Sequence, residues 1–345
     1  MSDQTTSVYT ALESDCIRLV RIFPQSPDDP TADLRCTMRH FELDDLPAYS
    51  ALSYAWGTEP SSRSILLNDQ RFDVRKNLFD FLSLARNLSG PYAGWLFIDA
   101  ISINQRDHAE RSSQVSQMWR IYSSAIPVLA WLGPRHDNSD LAMQELGRNP
   151  SYWQDERNMS AIWIGASGRA IRALCSRPYW SRLWVFVELS LASKVQLVYG
   201  TAAVSWDAFR DFILATQGAV ITPAVFDYVE GQLWKNPAIG EHQAMCALPA
   251  IQMIQYASMR AGSTDLWELM FALSHLDCGE PRDEVYALLG VAAPRGPELV
   301  IQSDYHTSLP NLLNTVLKHQ HHLQPPESIE QVQSQCTKLE SLFGE

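Results

Sequence analysis

The 345-residue chain lacks the glycine-rich motifs of several large enzyme classes. It has 16 glycines, and they form no G-x-x-x-x-G-K-S/T, G-x-G-x-x-G or G-x-S-x-G pattern; H-E-x-x-H is also missing. These patterns mark phosphate-cradling loops, nucleophile elbows and zinc helices. Their absence argues against kinases, P-loop enzymes and α/β-hydrolases.

Cysteine and histidine are too dispersed to indicate a metal centre. No two of the six cysteines form a C-x-x-C pair, which excludes a zinc knuckle and a dense disulfide framework and leaves reduced, mostly buried thiols. The one histidine cluster, His319, His321 and His322, ends a predicted helix in a polar region. It fits solvated surface better than a metal site, so no metal and no cofactor are predicted.

The chain also lacks an excess of positive charge and long hydrophobic runs. Lys and Arg number 27 against 39 Asp and Glu, a net charge of −12. Nucleic acids and anionic membranes are bound by clustered Lys and Arg, so neither is an expected partner. No apolar run approaches the roughly 20 residues of a membrane span, and the first 15 residues lack signal-peptide features, so we expect a cytosolic protein.

What is present is the composition of a globular protein, with 46% apolar and 19% charged residues. Residues 1–14 are polar and expected to be flexible. Alternation in 16–22 and 35–41 predicts half-buried strands of a hairpin. A second hairpin is predicted over 64–74, followed by a helix capped by Asn77.

Apolar runs alternate with helical patterns in the first two thirds of the chain. Residues 49–57, 94–99 and 126–132 are predicted strands, and a helix is predicted from about 109 to 123. Such alternation indicates an α/β fold with a largely parallel sheet. Residues 205–322 are predicted to be mostly helical, and the tail from 323 weakly structured.

Glu188 is a candidate functional residue on physical grounds. It is the only ionisable group in the apolar stretch 183–192, which is buried whether it forms a helix or a strand. A buried carboxylate is costly unless it is paired or lines a polar cavity. Two interpretations stay open: a functional carboxylate, or a structural ion pair with Arg177 or Arg182.

A second candidate lies where two strands end. Asp99 closes one apolar strand, and Tyr54, Trp56 and Gly57 close another. Ligands of open α/β sheets bind beyond the carboxyl ends of the strands, so these residues are expected to share a site. The alternatives are a loop cap for Asp99 and core packing for the aromatics. Asn104, Gln105 and Glu110 follow on the next loop and helix, where a glutamate commonly serves the helix dipole.

Together these segments resemble the fungal heterokaryon incompatibility (HET) domain. Its pattern contains A-L-S-Y-x-W-G, W-I/L-D-A-I/L-C-I-N-Q, E-R-x-x-Q-V-x-x-M, I-Y-x-x-A, W-L-G and R-x-W-x-x-Q-E. The matching residues here are 49–57, 95–105, 110–118, 121–125, 131–133 and 182–188. Residues 281–290 resemble the P-R-D-x-I/V-Y-A-L-L-G element found after this domain. Ser102 replaces the usual Cys, which argues against thiol chemistry, and Val187 replaces the usual Gln.

The resemblance implies a fold and a division of the chain. HET domains are thought to be distant relatives of Toll/interleukin-1 receptor (TIR) domains, which have a flavodoxin-like parallel sheet flanked by helices. We therefore expect a HET domain over 15–204 that begins with added β-hairpins. A helical extension over 205–322 is expected to pack on it.

The resemblance also implies a chemistry, because several TIR domains cleave NAD with a glutamate in an S-x-W-C-x-x-E-L helix. Residues 181–189 are similar, which gives Glu188 the catalytic role. Cleavage of a cationic leaving group requires stabilisation of an oxocarbenium-like ribose rather than a strong acid. The remaining site residues are expected to bind substrate: Ser53, Tyr54, Trp56, Gly57, Asp99, Asn104, Gln105, Glu110, Arg182 and Trp184.

Three functional hypotheses follow. The first is a HET-domain protein of fungal allorecognition or programmed cell death that hydrolyses NAD and self-associates. The second is a non-enzymatic signalling module that acts by assembly. The third is a HET fold recruited to secondary metabolism with another small-molecule substrate.

Overall fold

The described residues of the computed structural model form a mixed nine-stranded sheet with helices on both faces. These residues are 8–29, 32–60, 63–218, 249–257, 264–292, 301–326 and 328–343. The strands are β1 (Cys16–Ile22), β2 (Arg35–Glu42), β3 (Tyr49–Tyr54), β4 (Arg63–Leu67), β5 (Gln70–Val74), β6 (Trp95–Phe97), β7 (Val128–Trp131), β8 (Val195–Tyr199) and β9 (Ala202–Ser205). Their order in the sheet is β5-β4-β2-β1-β6-β3-β7-β8-β9.

The centre of the sheet is parallel. Strands β6, β3, β7 and β8 pair in parallel, in the order second, first, third and fourth along the chain. This is the order of flavodoxin-like sheets. The antiparallel hairpins β1-β2 and β4-β5 extend one side, and β9 closes the other. The predicted α/β class, with hairpin additions before a parallel sheet, is confirmed.

Helices cover the sheet and continue into the C-terminal region. Between β5 and β9 they are α1 (Lys76–Ala85), α2 (Asp99–Ser102), α3 (His108–Ser116), α4 (Met118–Ser124), α5 (Ser139–Leu146), α6 (Pro150–Trp153), α7 (Glu156–Ile164), α8 (Ala166–Cys175) and α9 (Leu183–Leu191). The later ones are α10 (Trp206–Gly218), α11 (Pro249–Ala257), α12 (Leu266–Ala272), α13 (Asp283–Tyr286), α14 (Leu309–Leu323) and α15 (Ile329–Phe343). The predicted helix over 243–259 lies partly outside the described residues.

Side-chain alternation along β3 assigns its residues to two cores. Leu52 and Tyr54 pack with α1 in one core, and Tyr49 and Ala51 pack with α4 and α9 in the other. Because successive side chains in a strand point to opposite faces, Ser53 shares the face of Tyr49 and Ala51. The hydroxyl at the end of this central strand is therefore directed at α9.

The first strand corrects one prediction. Strand β1 was expected to be half-buried. Instead β1 lies inside the sheet, and Arg18 is fully buried. Both terminal nitrogens of Arg18 donate to the carboxylate of Glu110, at 2.6 and 3.0 Å. Arg18 occupies a polar position in the alternating pattern of β1, which predicts exposure. It is buried because it pairs with Glu110, a residue distant in sequence.

Two local expectations near the first helix also differ. Residues 1–14 were expected to be flexible, and residues 1–7 of them lie outside the described residues. Within the described part, the Tyr9 hydroxyl donates to the Ile101 carbonyl at 3.0 Å. Asn77 was expected to cap α1, but it lies inside the helix. Its side chain donates to the Ala55 carbonyl at 2.6 Å and accepts from the Trp131 indole at 2.9 Å. Asn77 therefore joins the helix to the sheet.

Two predicted segments have different helical content. The helix expected over 109–123 is divided at Gln117 into α3 and α4. The tail expected to be weakly structured contains α15, in which Leu339 is buried. Apolar side chains at Ile329, Val332, Leu339 and Leu342 recur at helical spacing, a pattern that the intervening glutamines obscure. Among the described residues, no helix is both long and apolar enough to cross a bilayer.

The Arg18–Glu110 pair gives a stability prediction. In Arg18→Ala the Glu110 side chain, 10% exposed, loses its cation, and we expect the free energy of unfolding to fall by about 3–5 kcal/mol. Urea unfolding monitored by circular dichroism measures the change. The matched control is Arg35→Ala on β2, whose pair with Asp69 is exposed and is expected to contribute less than about 1 kcal/mol. Equal losses in the two variants would contradict the assignment.

Candidate functional site

A cavity of about 790 Å³ opens at the carboxyl edge of the parallel strands. β3 ends at Tyr54, and the chain turns away at Gly57, whose φ of +77° favours glycine. β6 ends two residues before Asp99. Both strand ends thus border one space, called the main cavity below. The sequence-predicted residues that line it are Trp56, Gly57, Asp99, Gln105, Arg182 and Trp184.

Asp99 is the predicted carboxylate that faces the main cavity. It accepts from the Trp56 indole at 2.8 Å and from the Ala100 amide at 2.7 Å. The Gln105 side chain donates to its backbone carbonyl at 3.1 Å. Burial raises the pKa of Asp99, while the charge of Arg182 acts in the opposite direction. Asp99 therefore holds its own loop and orients an indole on the cavity wall.

Glu188 lies in α9, buried beneath this wall. One carboxyl oxygen accepts from the Ser53 hydroxyl, and the other accepts from the Tyr122 hydroxyl at 3.1 Å. The Ser53 hydroxyl is also 2.8 Å from that of Tyr179. Two hydroxyl groups, from β3 and α4, thus contact the carboxyl group, and a third, from the turn before α9, contacts Ser53. Glu188 is 5% exposed.

The protonation state of Glu188 follows from this burial. Loss of water around the carboxyl group, with a smaller effect from the charge of Asp99, raises its pKa to about 8. The hydroxyl donors and Arg182 lower it by less. At neutral pH the group is therefore mostly protonated. The cluster of Ser53, Tyr122, Tyr179 and Glu188, called the hydroxyl cluster below, is then uncharged.

The arginine pairing considered for Glu188 is not found. In the part of the chain that the structure describes, no salt bridge involves Glu188. Arg182 donates to the Tyr54 carbonyl at 2.7 Å, and Arg177 donates to the Tyr199 hydroxyl at 2.6 Å. The polar partners of Glu188 are hydroxyl groups instead.

The opposite wall of the main cavity comes from the C-terminal region. Asp283, at the start of α13, accepts from the Trp184 indole at 3.0 Å and from the Tyr305 hydroxyl. The Arg111 guanidinium lies 3.6 Å from the centre of the Tyr305 ring, and its nearest nitrogen is 3.7 Å from an Asp283 oxygen. Burial raises the pKa of Asp283 as well. Carboxylate, guanidinium and aromatic groups therefore occupy both walls.

The other predicted site residues lie away from the lining of the main cavity. Ser53, Tyr54 and Glu188 are buried beneath it. Glu110 pairs with Arg18 and accepts from the Asn104 amide at 2.7 Å. Its expected contact with substrate is therefore replaced by a structural role in holding α3 to β1, and Asn104 joins it by its backbone.

Several residues of the site were not singled out from the sequence. They are Arg75, Arg111, Asp283 and Tyr305 on the walls, and Tyr122 and Tyr179 in the hydroxyl cluster. Arg111, Tyr122 and Asp283 lie inside the family motifs given above, and this position was the one sequence feature that could have identified them as site residues. The sequence contained no sign that these motifs meet in space.

The two departures from the family pattern lie outside the lining of the main cavity. Ser102 is buried and accepts from the Ile98 amide at 3.2 Å. Val187 lines a second cavity of about 500 Å³, which shares Val115 and Met118 with the main one. Neither departure removes a group from the main cavity.

The described residues contain no group of three His, Cys, Asp or Glu side chains arranged to hold a metal ion. Of the histidines considered in the sequence analysis, His321 lies 2.9 Å from the Gln335 side chain.

Comparison with known proteins identifies a segment that contributes part of this site. The family model described as heterokaryon incompatibility protein (HET) matches residues 49–188, from the start of β3 to the buried glutamate. A relative, heterokaryon incompatibility protein 6, OR allele, of Neurospora crassa, is 27% identical over 359 aligned residues. The alignment covers 88% of this chain and 51% of the relative, so the chain spans about half the length of that protein.

No solved structure matches the chain significantly. The family match nevertheless begins and ends on the two elements that contribute Ser53 and Glu188 to the hydroxyl cluster. The motifs of the sequence analysis and the family model agree on this segment. Residues 49–188 of the chain are therefore similar to the heterokaryon incompatibility (HET) family.

Proposed function

We propose that this chain is a HET-domain protein that acts in fungal allorecognition and cleaves the nicotinamide N-glycosidic bond of NAD in the main cavity. The relative's name supports the biological role. The observation that carries the chemical part is the cavity itself, where indoles, guanidinium groups and Asp99 meet at the ligand-binding edge of a parallel sheet above Glu188. Cytoplasmic location and self-association belong to the same proposal.

The walls of the main cavity match the chemical groups of a dinucleotide. Trp56 and Trp184 provide aromatic surfaces on which planar bases stack. Arg111 and Arg182 provide guanidinium groups, which bind phosphate oxygens in pairs. A volume of about 790 Å³ falls in the range of small-molecule sites.

The carboxyl groups of Asp99 and Glu188 can stabilise the positive charge that develops when the nicotinamide–ribose bond breaks. Nicotinamide leaves as a neutral base from a cationic ring, and positive charge passes to the ribose as the C–N bond breaks. Asp99 borders the cavity and stabilises that charge. A bound cation also lowers the pKa of a nearby carboxyl group, so substrate favours the ionised form of Glu188. Water then adds to the ribosyl cation and loses a proton, which gives ADP-ribose.

Glu188 reaches substrate in this mechanism only after a rearrangement. Trp184 precedes it by four residues on α9, so the two side chains share one face of the helix. The indole lines the main cavity and the carboxyl group lies behind it. We expect this rearrangement to bring the Glu188 carboxyl group to the ribose while the Trp184 indole keeps its hydrogen bond to Asp283.

A second candidate function is a non-enzymatic signalling module. The observation that favours it is that both carboxyl oxygens of Glu188 already accept hydrogen bonds inside the core. In that case the hydroxyl cluster holds β3, α4 and α9 together and has no catalytic task. A different small-molecule substrate is the third candidate, because the same walls would accept other aromatic anions.

The enzymatic proposal predicts nicotinamide release from NAD by the purified protein. We expect Glu188→Gln and Asp99→Asn each to reduce turnover by on the order of a hundredfold or more, because each removes a negative charge from the developing cation. Chromatography of the products measures the rate. A protein concentration series tests whether activity depends on self-association.

The matched control is Asp73→Asn, since this exposed carboxylate on β5 lies outside the lining of the main cavity. It is expected to keep the wild-type rate. The absence of nicotinamide release by folded wild-type protein at every concentration would overturn the NAD proposal.

The buried Glu188 also predicts a pH dependence of stability. Burial raises its pKa to about 8 in the folded protein, whereas the ordinary pKa of a glutamate side chain is 4.5. Between these values the unfolded state releases the proton and the folded state retains it. Stability contributed by the neutral carboxyl group is therefore complete below pH 4.5 and is lost towards pH 8, by at most about 1.4 kcal/mol per pH unit.

Urea unfolding at pH 5 and pH 8 measures this dependence. The side chain in Glu188→Gln is neutral at every pH, so we expect the part of the pH dependence that Glu188 causes to be lost. The variant is then expected to be more stable than the wild type at pH 8, where the stability contributed by the neutral carboxyl group is lost. Glu284→Gln on α13 is the comparison: burial raises the pKa of this carboxyl group to about 7, so the variant is expected to lose only its own, smaller part of the pH dependence. Equal pH slopes in wild type and Glu188→Gln would show that Glu188 is ionised in the folded protein.

A further inference from the structure

We propose that Asp283 is a positioning residue that fixes Trp184 and Arg111 as the wall of the main cavity that binds a planar ring and an adjacent anionic group. The choice of NAD as ligand rests on the proposed function above. The positioning role rests on contacts alone. It implies that the segment matched by the family model needs residues from the C-terminal region to complete its site.

The Asp283 carboxyl group is buried, and both of its oxygens accept hydrogen bonds from aromatic side chains. Asp283 is the first residue of α13 and is 7% exposed. One oxygen accepts from the Trp184 indole at 3.0 Å, and the other accepts from the Tyr305 hydroxyl. A buried carboxyl group that holds two aromatic side chains of one cavity restricts the orientation of both.

The two tryptophans of the cavity are held alike. The Trp56 indole donates to Asp99 at 2.8 Å, and the Trp184 indole donates to Asp283. An indole has a single donor, so each ring is tethered at one point. The Arg75 guanidinium lies over the Trp56 ring, 5.5 Å from its centre. Each wall therefore carries one tethered aromatic surface, which suits a ligand with planar heteroaromatic rings.

A cation lies beside Asp283. The Arg111 guanidinium covers the Tyr305 ring at 3.6 Å, and its nearest nitrogen lies 3.7 Å from the Asp283 oxygen. That distance exceeds hydrogen-bond length, so the contact with Asp283 is one of charge. A guanidinium has five N–H donors, so those of Arg111 that do not face Tyr305 can bind an anionic group of a ligand.

This wall is attached directly to α9. The Leu183 amide donates to the Asp277 carbonyl at 3.1 Å, and the Asp277 amide donates to the Ser181 carbonyl at 2.6 Å. The Ser181 hydroxyl also donates to the Asp277 side chain at 2.6 Å. The loop before Asp283 is thus joined to the start of the helix that carries Trp184.

The test compares Asp283→Ala with Asp283→Asn. Alanine leaves the Trp184 indole without an acceptor. Asparagine keeps an amide oxygen for the indole, and its NH₂ group donates to the Tyr305 hydroxyl, which can accept. We expect the KM for NAD to rise at least tenfold in Asp283→Ala and less in Asp283→Asn, with kcat within about threefold of wild type. Glu284→Gln, the next carboxyl group on α13, is the matched control and is expected to keep the wild-type KM.

A second measurement follows the indole without any ligand. The Trp184 N–H resonance, assigned in ¹⁵N-labelled protein by its loss in Trp184→Phe, is expected to shift and exchange faster with solvent in Asp283→Ala. It is expected to stay near its wild-type position in Glu284→Gln. Tyr305→Phe provides a further variant if Asp283→Ala does not fold, with a smaller shift expected.

The outcomes separate this inference from the proposed function. An unchanged KM and an unchanged Trp184 resonance in Asp283→Ala would overturn the positioning role while wild-type cleavage of NAD stands. A wild-type protein that neither binds nor cleaves NAD would overturn the proposed function. In that case a Trp184 resonance that is unmoved in Asp283→Ala overturns the positioning role, and a shifted one supports it.

Discussion

The buried carboxyl group of Glu188 is the constraint around which the core of this protein is arranged. A carboxyl group in an apolar helix needs hydrogen-bond partners, and they come from the central strand and a neighbouring helix. Satisfying it fixes the distance between α9 and the parallel sheet. The positions of Trp184, one turn earlier on the same helix, and of Arg182, which precedes the helix, follow from that fit.

The sequence predicted the architecture because its signals are local. Strand β3 is a compact apolar run that ends at glycine, and the hairpins are marked by alternation and by Asn68-Asp69 at a turn. The exceptions were residues whose environment depends on distant partners. Arg18 has the sequence signature of a surface residue and is buried, because Glu110 lies 92 positions away.

The candidate site was predictable in part for the same reason. Trp56, Gly57 and Asp99 follow strand ends, and topology brings parallel strand ends to one edge. An arginine partner for Glu188 was suggested by the nearby Arg177 and Arg182, whereas its hydroxyl partners Ser53 and Tyr122 lie 135 and 66 positions away in the sequence. Tyr122, Tyr179 and Asp283 come from segments whose proximity depends on tertiary packing.

Because Ser181 and Asp277 are joined by hydrogen bonds, the cooperative unit of folding extends beyond residue 188, where the family match ends. Backbone hydrogen bonds cross from the last turn before α9 to a segment about 90 residues beyond the match. A lesion in the later segment would transmit its effect to the aromatic wall without touching any residue of the recognised domain. The smallest fragment that keeps this cavity intact must therefore extend through Tyr305.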